Sequence, residues 1–193
     1  GKPEENLINT AAIRSMSKAV YSTKNIGHFG LAFKYYTHFT SPIRRYPDLM
    51  AHRMLRKHLD GEAIGPKESA KYEFIATQSS EKEGEAVSAE RDSIKFKQVE
   101  YMLNKVGQEF DGVITGVTDW GIYVQEQGSL AEGMVRLATI KGDYFEHEPS
   151  KYRIKGQKTG QTYRLGDPVR VKLTRADKDE RQLDFELVTT QAA

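Results

Sequence analysis

Residues Phe110 to Val124 read FDGVITGVTDWGIYV, and apolar residues recur along this stretch with a period of two. This period is typical of β-strands that bury one face. The pattern returns in four further runs, with Gly and Asp turns between them: GIYVQEQ, EGMVRLATI, PVRVKLTRAD and QLDFELV. Five short strands in about 85 residues predict a small barrel of the OB type.

The chain before this barrel has a helical pattern. Apolar residues at three- and four-residue spacing predict a helix in Glu5 to Tyr21. A second helix is predicted to begin at Pro42 with Ser41 as its cap, to kink or restart at Pro47, and to stop at Gly61. Sparse apolar residues from Lys67 to about Lys105 fit one or two more helices. We therefore predict an α+β chain with a helical part over residues 1–104 and an all-β, five-stranded barrel over residues 105–193.

A long polar segment separates the third and fourth predicted strands. It reads KGDYFEHEPSKYRIKGQKTGQTYRLGD, from Lys141 to Asp167. Because it is longer than an ordinary barrel loop, we expect it to be partly ordered. Its lysines and arginines could contact phosphates, and an ordinary solvated loop is the alternative.

Composition limits the class of protein. The 193 residues carry 29 Lys and Arg against 27 Asp and Glu, so a net charge of +2 does not by itself imply a nucleic-acid partner. The absence of cysteine excludes a disulfide framework and a thiolate zinc site, and it suits a reducing compartment. No apolar run approaches the roughly 18 residues of a membrane span. We expect a cytoplasmic protein with no membrane partner.

The segment HFTSPIRRYPDLMAHR, from His38 to Arg53, holds Arg44 and Arg45 on a frame with two prolines. Two guanidinium groups directed at one place suit a polyanion such as a phosphodiester, whose oxygens accept forked hydrogen bonds. The alternative is that one arginine pairs with Asp48 and the other is solvated. Flat rings of the kind that hold unpaired bases flank the arginines; they are His38, Phe39, Tyr46 and His52.

This segment, with the preceding GHFGLAFKYYT, resembles the last conserved block of the catalytic domain shared by the RNase II and RNase R exoribonucleases, the RNB family. VGQEFDGVITGVTDWGIYV followed by GMVRL is similar to the OB-type RNA-binding domain of the ribosomal protein S1 type. The last part, GQTYRLGDPVRVKLTRADKDERQLDFEL, resembles the RNase R branch more than the RNase II branch. The chain is thus identified as a C-terminal fragment of an RNase R-like enzyme, with the end of the catalytic domain in residues 1–104.

The resemblance implies a processive, hydrolytic 3′-to-5′ exoribonuclease that releases nucleoside 5′-monophosphates with Mg²⁺. The family holds its metals with an aspartate-rich segment, which does not precede Arg44 here. We therefore expect the Mg²⁺ ligands to lie outside this chain, together with upstream catalytic and cold-shock-type domains. The aspartates of ADKDERQLD indicate a hairpin turn. The fragment alone is expected to bind single-stranded RNA and hydrolyse little; the alternatives are a non-catalytic RNA-binding adaptor and a protein-interaction barrel.

The family pattern also suggests roles for single residues. Arg44 corresponds to the arginine at the scissile phosphate, and Glu90 to a glutamate that approaches the active site in some members; a solvated helix residue is the alternative for Glu90. One of the aromatic rings of the barrel could instead be core, unless Gly121 marks a bulge. The residues expected to bind RNA are Arg45, His38, Tyr46, Trp120, Tyr123, Arg136 and Lys141.

Overall fold

The computed structural model describes residues 8–9, 12–13 and 15–188, which fall into two compact units. One unit is Ser17–Glu90, and the other comprises Arg91 onward with the described residues up to Met16. The predicted division between residues 104 and 105 stays a prediction. No helix in the described part of the chain is both long and apolar enough to cross a membrane.

Two helices dominate the first half: α1 (Tyr46–Leu59) and α2 (Pro66–Met102). The predicted helix start at Pro42 is wrong, because residues 42–44 form a turn in which the Arg45 N–H donates to the Ser41 carbonyl at 3.0 Å. The helix begins after this turn, and Pro47 lies in its first turn, where its missing N–H costs nothing. The predicted kink or restart at Pro47 is wrong as well, because residues 42–44 before it are not helical, whereas Gly61 follows the end of α1, as predicted, with a φ of 78°.

The helix predicted for residues 5–21 is only partly tested. Leu7, Ala11 and Arg14 lie outside the described residues, and residues 8–9, 12–13 and 15 are helical. Residues 17–21 are not helical, so the prediction is wrong there. The N–H of Tyr21 donates to Ser80 Oγ on α2 at 2.8 Å, and this replaces a helical carbonyl as its acceptor.

The second half is a closed five-stranded barrel. Its strands are β1 (Glu109–Thr118), β2 (Gly121–Glu126), β3 (Glu132–Arg136), β7 (Pro168–Asp177) and β8 (Gln182–Leu187). They follow one another in the order β1-β2-β3-β8-β7, and all neighbours are antiparallel except β3 and β8, which pair in parallel and close the barrel. The five predicted strands and the fold class are confirmed.

Alternate residues of these strands fill the barrel. The buried set comprises Ile114, Ile122, Val124, Val135, Val171, Leu173, Leu183 and Phe185. Val99 and Met102, from the last turns of α2, join the same core. The approach of β3 to β8 needs Gly133, because a Cβ there would lie 2.6 Å from the Leu183 carbonyl oxygen. Because Ile122 and Val124 of β2 are buried in the barrel, its odd-numbered positions, including Tyr123, lie on the outer face.

The polar insert is ordered, as predicted, and forms a separate antiparallel sheet of β4 (Phe145–Glu148), β5 (Arg153–Gly156) and β6 (Thr162–Arg164). Phe145 and Ile154 bury their side chains in the barrel core. Asp143 accepts backbone hydrogen bonds from Lys158 and Thr159, which ties the start of the insert to its β5–β6 turn. The insert is thus fixed to the barrel at several points.

Candidate functional site

The turn before α1 is built around the carboxylate of Asp48, which is completely buried. Its Oδ2 accepts the Ser41 N–H at 2.8 Å and Nη2 of Arg45 at 2.9 Å. Burial raises the pKa of Asp48, but these two donors outweigh burial and hold the pKa below its ordinary value. The carboxylate therefore orients one of the two adjacent arginines, and that arginine is Arg45.

The neighbouring guanidinium of Arg44 has a different environment. It is exposed, and its Nη2 lies 3.4 Å from Ser41 Oγ. Within residues 15–188 no carboxylate pairs with it. The arrangement matches the alternative in which one arginine pairs and the other is solvated, and it also leaves Arg44 available to an anion. The two adjacent arginines are thus distinct: Arg45 is bound to Asp48, and Arg44 is exposed.

Aromatic rings surround His38 in edge-to-face contacts. The centroid of its ring lies 5.6 Å from that of Tyr21 and 5.8 Å from that of Tyr36, and Tyr36 contacts His28 at 4.6 Å. We did not predict Tyr21 or Tyr36 as part of this cluster, although Tyr36 lies in the KYYT run beside it. A second ring pair joins Phe39 and His52, whose centroids are 4.0 Å apart.

Tyr46 lies at a groove of about 340 Å³ beside α1. The residues that line this groove are Tyr46, Met50, Arg53, Arg56, Lys57, Glu68, Lys71 and Tyr72.

Glu90 lies on the exposed surface of α2, and no hydrogen bond between the described residues joins it to Arg44. The predicted catalytic roles of Arg44 and Glu90 stay predictions.

On the barrel, Trp120 lies in the two-residue turn between β1 and β2. Its carbonyl accepts the Leu137 N–H at 2.9 Å, and the residue is 77% exposed. The chain passes so close to β3 that a Cβ at Gly121 would lie 2.1 Å from the Val135 carbonyl oxygen. Trp120 is not a core residue, and Tyr123 on β2 is half-buried. The backbone is therefore fixed while the indole faces solvent.

Tyr123, Met134 and Arg136 share the outer face, because Tyr123 pairs with Met134 and Gly121 pairs with Arg136. Arg136 Nη2 lies 3.8 Å from Asp184 Oδ2, and Asp184 also lies 3.9 Å from Arg175. Asp184 was not predicted here, since nothing in the sequence shows that β3 and β8 pair in parallel. The fourth predicted residue of the barrel, Lys141, is exposed at the start of the insert.

The described residues do not fit a magnesium ion. None of them form a group of three or more His, Asp or Glu that could hold a metal, whereas Mg²⁺ needs oxygen ligands in near-octahedral geometry. Asp177 caps the β7–β8 turn by accepting the N–H groups of Asp179 and Glu180. The aspartates there form the hairpin turn that the sequence indicates.

Two family models match the chain. The RNB domain matches residues 1–61, and the S1 RNA binding domain matches residues 104–187. Ribonuclease R from Aquifex aeolicus is 41% identical over 97% of this chain. Ribonuclease R 1 from Lactococcus lactis is 41% identical over 99% of it. The chain belongs to the RNase R family.

The fold agrees with this assignment to the RNase R family. The apo form of Mycoplasma genitalium RNase R is 31% identical, with a TM-score of 0.86 over 93% of this chain. The same enzyme in complex with ribose methylated single-stranded RNA has a TM-score of 0.84. The chain spans 27% of the length of the Aquifex relative, 24% of the Lactococcus relative and 29% of the apo Mycoplasma chain.

Proposed function

We propose that this chain is the part of an RNase R exoribonuclease that holds single-stranded RNA, and that the intact protein degrades RNA from 3′ to 5′ to nucleoside 5′-monophosphates with Mg²⁺. The carrying observation is the exposed indole of Trp120 on an anchored turn, beside Tyr123 and Arg136. Exposed rings next to a guanidinium are suited to unpaired bases and their phosphates. The RNA-bound Mycoplasma relative supports the same substrate class.

In this proposal Arg44 contacts the scissile phosphate, while Arg45 supports the turn through Asp48. A preorganised donor that stabilises developing charge is worth about a hundred- to a thousandfold in rate. Arg44→Ala in the intact enzyme is expected to lose turnover in that range, with Arg45→Ala losing stability as well. Glu90 is assigned a supporting catalytic role. His38 and Tyr46 in the helical unit, and Lys141 in the barrel unit, are each assigned to RNA binding.

In this proposal the Mg²⁺ ligands lie outside this chain, and Trp120, Tyr123 and Arg136 bind RNA. This chain alone is expected to bind a single strand and to hydrolyse little of it. A second candidate function is a non-catalytic RNA-binding adaptor. The two candidates differ in whether the natural protein that carries this segment degrades RNA.

The binding test uses this chain and a labelled single-stranded oligoribonucleotide. Trp120→Ala is expected to cost about 1 to 3 kcal/mol of binding free energy, the usual value of one stacked base. Phe74→Ala is the matched control, because Phe74 is also an exposed ring, 66% accessible, on α2. Equal affinity of wild type and Trp120→Ala would reject RNA binding by this face.

The activity test uses the natural protein that contains this segment, with 5′-labelled RNA and Mg²⁺. Shortening from the 3′ end with release of nucleoside 5′-monophosphates, lost in Arg44→Ala, is the expected result. Binding without any products would favour the adaptor. Full turnover of Arg44→Ala would remove Arg44 from the reaction.

A further inference from the structure

The insert sheet contacts the turn that carries Trp120. His147 on β4 places its Nδ1 2.7 Å from Oδ1 of Asp119, the residue before Trp120. A carboxylate only accepts hydrogen bonds, so Nδ1 carries the proton and donates it. The side chain of His147 is 13% exposed, whereas that of Asp119 is 79% exposed. A nearly buried donor therefore holds a residue at the tip of an exposed turn.

The position of His147 is fixed by the core. It lies two residues after Phe145, so both side chains are on the same face of β4. Its cross-strand partner on β5 is Ile154, which is fully buried. Since Phe145 and Ile154 belong to the barrel core, the imidazole is held by the same packing that fixes the insert.

The turn itself has backbone anchors but a free side chain. Thr118 Oγ1 donates to the Gly121 carbonyl at 3.0 Å, and the Trp120 carbonyl accepts the Leu137 N–H. The Asp119–His147 hydrogen bond is the side-chain link from the turn to a third element, β4. Without it, the Asp119 carboxylate beside Trp120 would lose its side-chain hydrogen-bond donor from β4.

We infer that His147 is a positioning residue for RNA binding: it holds the Asp119–Trp120 turn against the β4–β5–β6 sheet, so that the insert takes part in binding a single strand by fixing the stacking ring. This inference rests on the proposed function, because it assumes that Trp120 stacks on a base. The insert, which is longer than an ordinary barrel loop, thereby has a role in RNA binding.

The test exploits the fact that Trp120 is the one tryptophan of the sequence, so that intrinsic fluorescence reports on this turn. His147→Leu is expected to weaken oligoribonucleotide binding about threefold to tenfold, as for one lost hydrogen bond, and to lower the fluorescence anisotropy of Trp120 without RNA. His147→Asn is expected to restore both, because its amide nitrogen is as many bonds from Cβ as Nδ1 is. Glu146→Gln, at the preceding position of β4, is the control.

Asp119→Ala breaks the same hydrogen bond from the exposed side and should lower the anisotropy without RNA, even if His147→Leu fails to fold. Wild-type anisotropy in Asp119→Ala would overturn the inference. Wild-type affinity in a folded His147→Leu variant, with affinity lost in Trp120→Ala, would overturn it and leave the proposed function intact. Unchanged affinity in Trp120→Ala would instead reject the proposed function.

Discussion

Arg45 Nη2 donates to Oδ2 of Asp48 across 2.9 Å, and this ion pair closes the turn that precedes α1. The carboxylate is fully buried and the arginine side chain is 23% exposed. The pair holds the backbone of the turn through the Ser41 N–H. Arg44 is thereby presented to solvent from a fixed backbone, which separates the residue that builds the turn from the one proposed to meet RNA.

Arg44→Ala should lower the salt dependence of RNA binding. A side chain that neutralises one phosphate of a single strand contributes about 0.7 to the slope of log K against log salt. The slope should become shallower by about that amount, as measured by binding titrations over a series of salt concentrations. Lys82→Ala, which removes a cation paired with Glu85 on α2, should leave the slope unchanged. Parallel plots for wild type and Arg44→Ala would exclude a phosphate contact.

Asp48→Ala should destabilise the helical unit. Removal of one partner from a buried ion pair leaves an uncompensated charge and costs about 3 to 5 kcal/mol. Asp60→Ala is the matched control, since Asp60 pairs with Arg56 on the surface, where both side chains are accessible and ion pairs contribute little. Urea unfolding followed by circular dichroism measures both variants. Similar small losses would show that the Asp48 carboxylate does not hold the turn.

The same pair predicts a pH dependence. The pKa of Asp48 is lower in the folded state than its ordinary value of 3.8, so its contribution to stability is fully present above about pH 4 and is lost as the pH falls through the folded pKa. The difference in unfolding free energy between wild type and Asp48→Asn should therefore shrink on acidification below pH 4. A difference that grows in acid would reverse the sign and contradict the prediction.

Glu100 offers a direct titration. Hydrogen bonds from Lys178 and then from Lys97 lower the pKa of Glu100 from 4.5 to about 2. Carbon-detected NMR should show this carboxylate titrating near pH 2, and Lys178→Ala should return its midpoint towards 4.5. Lys172→Ala should leave it unchanged. A wild-type midpoint near 4.5 would mean that Lys178 does not bind Glu100 in solution.

Gly121→Ala and Gly84→Ala should have opposite effects on stability. A Cβ at Gly121 would lie 2.1 Å from the Val135 carbonyl oxygen, so the β1–β2 turn must shift. At Gly84, on α2, a Cβ meets nothing within 4 Å, and alanine should stabilise the helix by about 0.5 to 1 kcal/mol. Thermal unfolding of the two variants measures the contrast. A stable Gly121→Ala protein with unaltered Trp120 fluorescence would show that the approach of β2 to β3 is not tight.

The barrel could be predicted because each strand buries one face, and alternation in runs such as PVRVKLTRAD records that directly. The start of α1 could not be predicted. Serine is a common helix cap, but the Ser41 carbonyl accepts the Arg45 N–H in the turn and the Ser41 N–H donates to Asp48. The length of the insert predicted that it is partly ordered. The pairing of β4, β5 and β6 could not be predicted, because it depends on core contacts of Phe145 and Ile154.

Individual site residues were predicted from local motifs, and their neighbours were not. The SPIRR run singled out two arginines, but only the folded turn shows that Arg45 is the one bound to Asp48. Asp184 lies near Arg136, and His147 binds Asp119. In both pairs the two residues are distant in sequence. Such contacts depend on strand register, and register is set by packing of the complete barrel.

Closure of the barrel through the parallel β3–β8 pair has a consequence for solution behaviour. A closed barrel exposes no free strand edge, so its backbone cannot template pairing with another chain. The β4–β5–β6 sheet keeps two edges, but the edge strands β4 and β6 are only four and three residues long. Acidic Glu146 and Glu148 further blunt the β4 edge. The β-rich half of this protein is therefore protected against edge-to-edge aggregation.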